Sequence, residues 1–142
     1  MRAVVVALGK IGLPLAAAIA RAGHEVAGCD VDPAVVEAVN EGRAPFPGEA
    51  GLDAALAEVV ADGRLRARPD TTAAVAEGAD LVVAVPPLVV DEEARPDWRV
   101  LDTVIADIGA GLHRRDRPTT VSVETTVPVG TTRTRIGPAL EH

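Results

Sequence analysis

A chain of 142 residues with 48% hydrophobic content is the size of one domain with a full core, and its only aromatic residues, Phe46 and Trp98, leave that core to Ala, Val, Leu and Ile. Its net charge of −7 speaks against a nucleic-acid backbone or an anionic membrane as partner, since both need a basic face. The single cysteine, Cys29, excludes an internal disulfide and a multi-cysteine metal site and fits a reducing cytoplasm.

The first predicted strand is the apolar run 3–8, which ends at Gly9. The run is too short for a signal peptide or a membrane span and reads as a buried strand. Gly12 opens a helix over 13–22 with Pro14 in its first turn, where proline costs little, and Gly23 at its end. A second short strand over 25–29 ends at Asp30. A helix over 33–40 follows, with Asp32 as N-cap and Val35, Val36 and Val39 as its apolar stripe. Residues 41–51, rich in Gly and Pro, read as a loop. A helix over 52–61 stopped by Gly63, a strand over 65–68, and a short helix capped by Asp70 or Thr71 and ended by Gly78 come next.

Residues 81–85 form the next buried strand, closed by Pro86 and Pro87, and the chain turns there into a loop over 88–96. Asp97 is expected to cap a long helix to about Leu112, with Val100, Leu101, Val104, Ile105 and Ile108 along one side. A β-branched strand over 119–123 leads to a turn over 124–130. A last helix over 131–140 is expected to break near Gly137-Pro138.

Strands alternating with helices of these lengths predict an α/β fold: a Rossmann-like doubly wound parallel sheet with helices on both faces and right-handed crossovers. Ligands of such sheets lie beyond the carboxyl ends of the strands. Three segments should meet there: 9–12, 85–87 and 124–130.

The turn 9–12 carries the most information. A helix N-terminus presents unpaired backbone N–H groups and partial positive charge to the crevice, and dinucleotide pyrophosphate is its usual guest. The fingerprint is Gly-x-Gly-x-x-Gly or Ala, with an acidic residue about 20 positions on for the ribose hydroxyls. Here Gly9, Gly12 and Asp30 fill its later positions, and Lys10 and Ile11 lie between the glycines. A carboxylate at Asp30 repels a 2′-phosphate, so NAD is the predicted cofactor rather than NADP. Ala7 stands where the first glycine belongs. If that backbone needs positive φ, alanine is strained by about 1 kcal/mol; otherwise the turn avoids that region. No histidine, serine or carboxylate spacing typical of a metal or hydrolytic site appears, and His24, His113 and His142 read as surface residues.

Four stretches, in order, carry a family resemblance: Ala-Leu-Gly-Lys-Ile-Gly-Leu-Pro-Leu-Ala (7–16), Gly-Cys-Asp-Val-Asp (28–32), Val-Ala-Val-Pro (83–86) followed by Arg-Pro-Asp (95–97), and Val-Glu-Thr-Thr-Val-Pro-Val-Gly-Thr-Thr (123–132). The chain resembles the N-terminal NAD-binding domain of the nucleotide-sugar dehydrogenases, the UDP-glucose/GDP-mannose dehydrogenase family. Glu124 before the Thr-Thr-Val-Pro stretch looks most like the branch acting on UDP-N-acetylhexosamines, such as UDP-N-acetylmannosamine dehydrogenase.

The resemblance implies oxidation of the primary alcohol of a UDP-sugar to a carboxylate in polysaccharide biosynthesis, with two hydrides passed to NAD⁺ and a cysteine thiolate holding the intermediate. It also implies that 1–142 is a single domain, and that the family's catalytic cysteine and substrate-binding portion match nothing in this chain; Cys29 is not at a catalytic position. A homodimer is implied only for a longer polypeptide. Thr126 is the one catalytic-type position that carries over. Its hydroxyl faces the nicotinamide and helps order the reacting water, a positional role because a hydroxyl is no strong base. The cofactor-binding set is Gly9, Lys10, Ile11, Gly12, Asp30, Val85, Pro86 and Thr126, with no metal. Pro87 replaces the family's threonine and removes a hydroxyl from the cofactor side. Two other readings stay open on the sequence: a stand-alone dinucleotide-binding or regulatory module without catalysis, and the N-terminal domain of a β-hydroxyacid-type dehydrogenase.

Overall fold

The computed structural model describes residues 1–141, and His142 lies outside the described residues. Five strands, β1 (Arg2–Val6), β2 (Glu25–Cys29), β3 (Leu65–Arg68), β4 (Leu81–Ala84) and β7 (Thr120–Val123), form one sheet in the order β3-β2-β1-β4-β7. Every pairing in it is parallel, and the two central strands, β1 and β4, are the near-continuous apolar runs expected of strands buried on both faces. The chain builds outward from β1 to β3, then returns to the other side of β1 for β4 and β7. The strand order therefore reverses between β1 and β4 and opens a crevice at their carboxyl ends.

Side chains alternate across the sheet, so β1 feeds two cores. Ala3 and Val5 join Leu13, Ala16, Ala17 and Ala20 of α1 (Gly12–Arg21), Val39 of α2 (Pro33–Asn40), and Leu52, Leu56 and Val59 of α3 (Leu52–Ala61). Val4 and Val6 face the opposite way. They pack with Cys29, with Ala74 and Val75 of α4 (Thr71–Ala76), and with Ile108 of α5 (Arg99–Leu112). The doubly wound arrangement predicted from the sequence is thus present, with a core of small aliphatic residues.

Local signals explain most boundaries. Asp32 accepts the Ala34 N–H at 2.9 Å and caps α2, and Asp70 accepts the Ala73 N–H at 2.8 Å and caps α4. Three details differ from expectation. Asp97 stands one residue before the N-cap position of α5, Trp98, and its carboxylate accepts the Arg99 N–H at 3.1 Å. The loop after β4 contains a two-residue antiparallel ladder, β5 (Val89–Val90) with β6 (Pro96–Asp97), too short for a periodicity signal. The last helix is continuous through Gly137-Pro138. Thr132–Ile136 is a π-helical turn in which the Gly137 N–H reaches the Thr132 carbonyl, and α6 (Gly137–Glu141) follows directly. Proline lacks the N–H and crowds the carbonyl four residues back, and one widened turn absorbs both problems without a break.

Candidate cofactor cleft

A cavity of about 1160 Å³ opens at the carboxyl edge of the sheet, and all three predicted segments line it. Its backbone frame extends the strand ladders. The N–H of Ala7 donates to the Cys29 carbonyl at 2.8 Å, that of Val85 to Val6 at 2.9 Å, and that of Glu124 to Ala84 at 2.9 Å.

Ala7 adopts φ +73°, so the turn does require the left-handed region and alanine carries the strain there. The reason lies in Gly12. A Cβ on Gly12 would stand 1.9 Å from the Ala7 carbonyl oxygen, so the helix start and the strand end touch through backbone alone. Gly9 is different. A Cβ there would meet nothing within 4 Å, although Gly9 lines the cavity. No contact among the described residues accounts for glycine at position 9, whereas close approach of a ligand to the backbone would.

Helix α1 starts without a side-chain cap. Among the described residues the backbone N–H groups of Lys10, Ile11 and Gly12 donate to no protein acceptor, and Leu13 is the first to bond back, to Gly9 at 3.0 Å. Three unpaired donors at the positive end of a helix form a cradle for an anion without a basic cluster. The cradle and the open face of Gly9 fit a pyrophosphate.

Asp30 is held rigidly at the end of β2. One carboxylate oxygen accepts the Leu8 N–H at 2.8 Å and the other the Asp32 N–H at 3.0 Å. Each oxygen keeps a further lone pair, enough for two vicinal hydroxyls. Lys10 and Ile11 are exposed at the mouth, Val85 is half-buried, Pro86 is buried, and Thr126 is exposed; all line the same cavity. The cleft thus brings together every residue of the predicted set.

Sequence reasoning overlooked part of the wall. Thr125 donates its hydroxyl to the Pro86 carbonyl at 2.6 Å and ties the end of β7 to the end of β4. That bond fixes the peptide just before Pro87, the residue that stands in place of the family's threonine. Helix α5 contributes Arg99, Thr103 and Asp107, whose four-residue spacing was the available signal. Arg99 clamps Asp97 with Nε–oxygen distances of 2.9 and 3.1 Å and an Nη2–oxygen distance of 2.5 Å, which holds the Asp97 carboxyl well down, at about 2. Cys29 and Thr71 also reach the wall, and burial pushes the Cys29 thiol up to about 11. Among the described residues no group of three or more His, Cys, Asp or Glu could hold a metal ion. His113 is exposed and His24 half-buried rather than on the surface, and His142 is outside the described residues.

A parallel sheet with its strand order reversing at a glycine turn, an uncapped helix start and a tethered carboxylate defines a Rossmann-like dinucleotide-binding domain. The comparisons with known proteins narrow this. Residues 1–142 match the family model described as the UDP-glucose/GDP-mannose dehydrogenase family, NAD binding domain, and the chain belongs to that family. It is 32% identical over 143 residues to the GDP-mannose 6-dehydrogenase of Azotobacter vinelandii, covering 100% of this chain and 32% of that protein. It is also 32% identical over 132 residues to the UDP-N-acetyl-D-mannosamine dehydrogenase of Pyrococcus horikoshii, covering 93% and 30%. The crystal structure of a ternary complex of GDP-mannose dehydrogenase from Pseudomonas aeruginosa superposes with a TM-score of 0.93 at 30% identity, over 99% of this chain and 32% of that one. The chain spans about a third of the length of these relatives. Family membership sets aside the β-hydroxyacid-type alternative.

Proposed function

We propose that residues 1–142 form the single NAD-binding domain of a nucleotide-sugar dehydrogenase that oxidises the primary alcohol of a UDP-sugar to a carboxylate. The observation that carries this reading is the cradle at 9–12: a glycine whose missing side chain nothing among the described residues requires, beside three backbone donors without an acceptor among them. NAD supplies the hydride acceptor when bound. The residues of this chain bind and orient. The N–H groups of Lys10, Ile11 and Gly12 take the pyrophosphate, Asp30 the adenosine ribose, and Val85 and Pro86 the nicotinamide side. Thr126 would face its hydroxyl to the nicotinamide and help order the reacting water.

The wider setting of the proposal is a bacterial cytoplasmic enzyme, a homodimer in its longer form, with NAD and a nucleotide sugar as its small-molecule partners and neither nucleic acid nor membrane among them. No helix among the described residues is long and apolar enough to cross a membrane. Glu124 ahead of Thr125-Thr126-Val127-Pro128 favours a UDP-N-acetylhexosamine as the sugar. Titration calorimetry with NAD⁺ and NADP⁺ tests the cofactor assignment. NAD⁺ should bind and NADP⁺ should bind far more weakly, with Asp30→Asn narrowing the gap; heat from neither ligand while the protein is folded overturns the proposal.

A further inference from the structure

We propose that Glu124 discriminates between the two redox forms of the dinucleotide, holding the oxidised, positively charged nicotinamide more tightly than the reduced, neutral one. The inference rests on the cofactor reading above. With pyrophosphate on the 9–12 turn and the adenosine ribose on Asp30, the crossing of the sheet edge carries the nicotinamide to the ends of β4 and β7. Glu124 is the first residue beyond β7. Its N–H donates to the Ala84 carbonyl at 2.9 Å, and it lines the cavity beside Thr125 and Thr126.

The other charges of the wall are answered or lie elsewhere. Arg99 neutralises Asp97. Asp30 is held by two N–H groups at the adenosine end. The Asp107 carboxylate has no ion-pair partner among the described residues either, but α5 carries it beside the start of α4, where the Thr72 hydroxyl donates to the Asp107 backbone carbonyl at 3.0 Å, away from the ends of β4 and β7. Lys10 belongs to the pyrophosphate turn. The Glu124 carboxylate has only a neutral partner, the Ser122 hydroxyl at 2.5 Å, and no cation within ion-pair distance among the described residues. The nicotinamide end of the cleft therefore carries one uncompensated negative charge.

NAD⁺ and NADH differ by one positive charge, and that charge is on the ring. A carboxylate at that end of a partly solvated cleft would favour the oxidised form by roughly threefold to tenfold. Charge near the reactive ring is one of the ways a protein tunes a redox cofactor. For a reaction that consumes two NAD⁺ per sugar, weaker holding of NADH speeds exchange between the two hydride transfers.

The test is the ratio of the dissociation constants for NADH and NAD⁺, measured by calorimetry on wild type, Glu124→Gln and Glu124→Lys at one ionic strength. Glutamine keeps an acceptor for Ser122, so the local bond survives. A general loss of structure weakens both forms alike, whereas the proposed effect moves only the ratio. Wild type should prefer NAD⁺, Glu124→Gln should lower the ratio by roughly fivefold, Glu124→Lys should lower it further, and high salt should compress all three differences. Equal ratios in the three proteins, with both forms bound, overturn the role of Glu124 and leave the cofactor reading intact. Binding of neither form by the folded wild type overturns the cofactor reading and this inference together.

Discussion

Replacing the two glycines of the turn by alanine should give opposite results, because their reasons for being glycine are opposite. At Gly12 the new Cβ would lie 1.9 Å from the Ala7 carbonyl oxygen and 3.1 Å from its carbon. An ordinary C···O contact needs about 3.3 Å, so backbone must move by more than about 1 Å. Little slack exists, since Ala7 is already at φ +73° and its N–H is bound to Cys29 at 2.8 Å. Forced overpacking of this kind costs about 1–3 kcal/mol, against a gain of at most about 1 kcal/mol from reduced unfolded-state freedom. For a domain of this size each kcal/mol of net loss lowers Tm by about 3–4 °C, and the displaced helix start should weaken NAD⁺ binding as well. Gly9→Ala meets nothing within 4 Å among the described residues, so its unfolding free energy should stay within about 0.5 kcal/mol of wild type and its Tm close to it. Its methyl group would stand where the proposal puts the pyrophosphate, so NAD⁺ affinity should fall by roughly tenfold or more. Thermal unfolding by circular dichroism and calorimetry on both variants decide the matter. A Gly9→Ala protein with wild-type affinity, or a Gly12→Ala protein with wild-type Tm, refutes the division of labour.

Two further predictions concern side chains at the wall. Cys29 is fully buried with its thiol pushed up to about 11, so it should resist iodoacetamide at pH 8 in the folded protein and react completely in denaturant; rapid labelling of the native protein contradicts this burial. Asp97 has its carboxyl held from an ordinary 3.8 down to about 2 by Arg99. A depressed folded-state value gives stability that is present above the unfolded value and lost as pH falls through the folded one. The Tm difference between wild type and Asp97→Asn should therefore be constant above about pH 5 and vanish towards pH 2, and a difference that grows on acidification would contradict the assignment.

Much of the fold was legible because its signals are local. The apolar runs 3–8 and 81–85, the caps Asp32 and Asp70 and the stop at Gly23 each act over a few residues, and together they fixed the alternation of strands and helices. Gly12 and Asp30 could be placed for the same reason, since strand, turn and helix set their spacing. What escaped depends on contacts distant in sequence. The Thr125 bond to the Pro86 carbonyl spans 39 positions, and its hydroxyl could as well have capped its own turn. The π-helical turn before Pro138 arises from how the chain resolves a clash, and composition does not say whether the helix breaks or widens. The strain at Ala7 could be posed as a question from the missing glycine, but only the 1.9 Å approach of Gly12 answers it.

A chain of net charge −7 that binds a dinucleotide anion must attract it locally, and on the proposed reading the cleft does so with dipoles rather than with cations. Lys10 is the only cationic side chain on the pyrophosphate turn, it is exposed, and its ammonium makes no ion pair among the described residues. The three N–H donors are fixed by the start of α1 and by the Gly12 contact with Ala7, so they need no counterion and release none on binding. Salt screens exposed charges over about 10 Å at 0.1 M but hardly affects hydrogen bonds already directed at the ligand. NAD⁺ affinity should accordingly change by less than roughly threefold between 50 mM and 500 mM salt, and Lys10→Ala should change it by a similar factor at most. A steep salt dependence abolished in Lys10→Ala would mean that the lysine, and not the backbone cradle, holds the pyrophosphate.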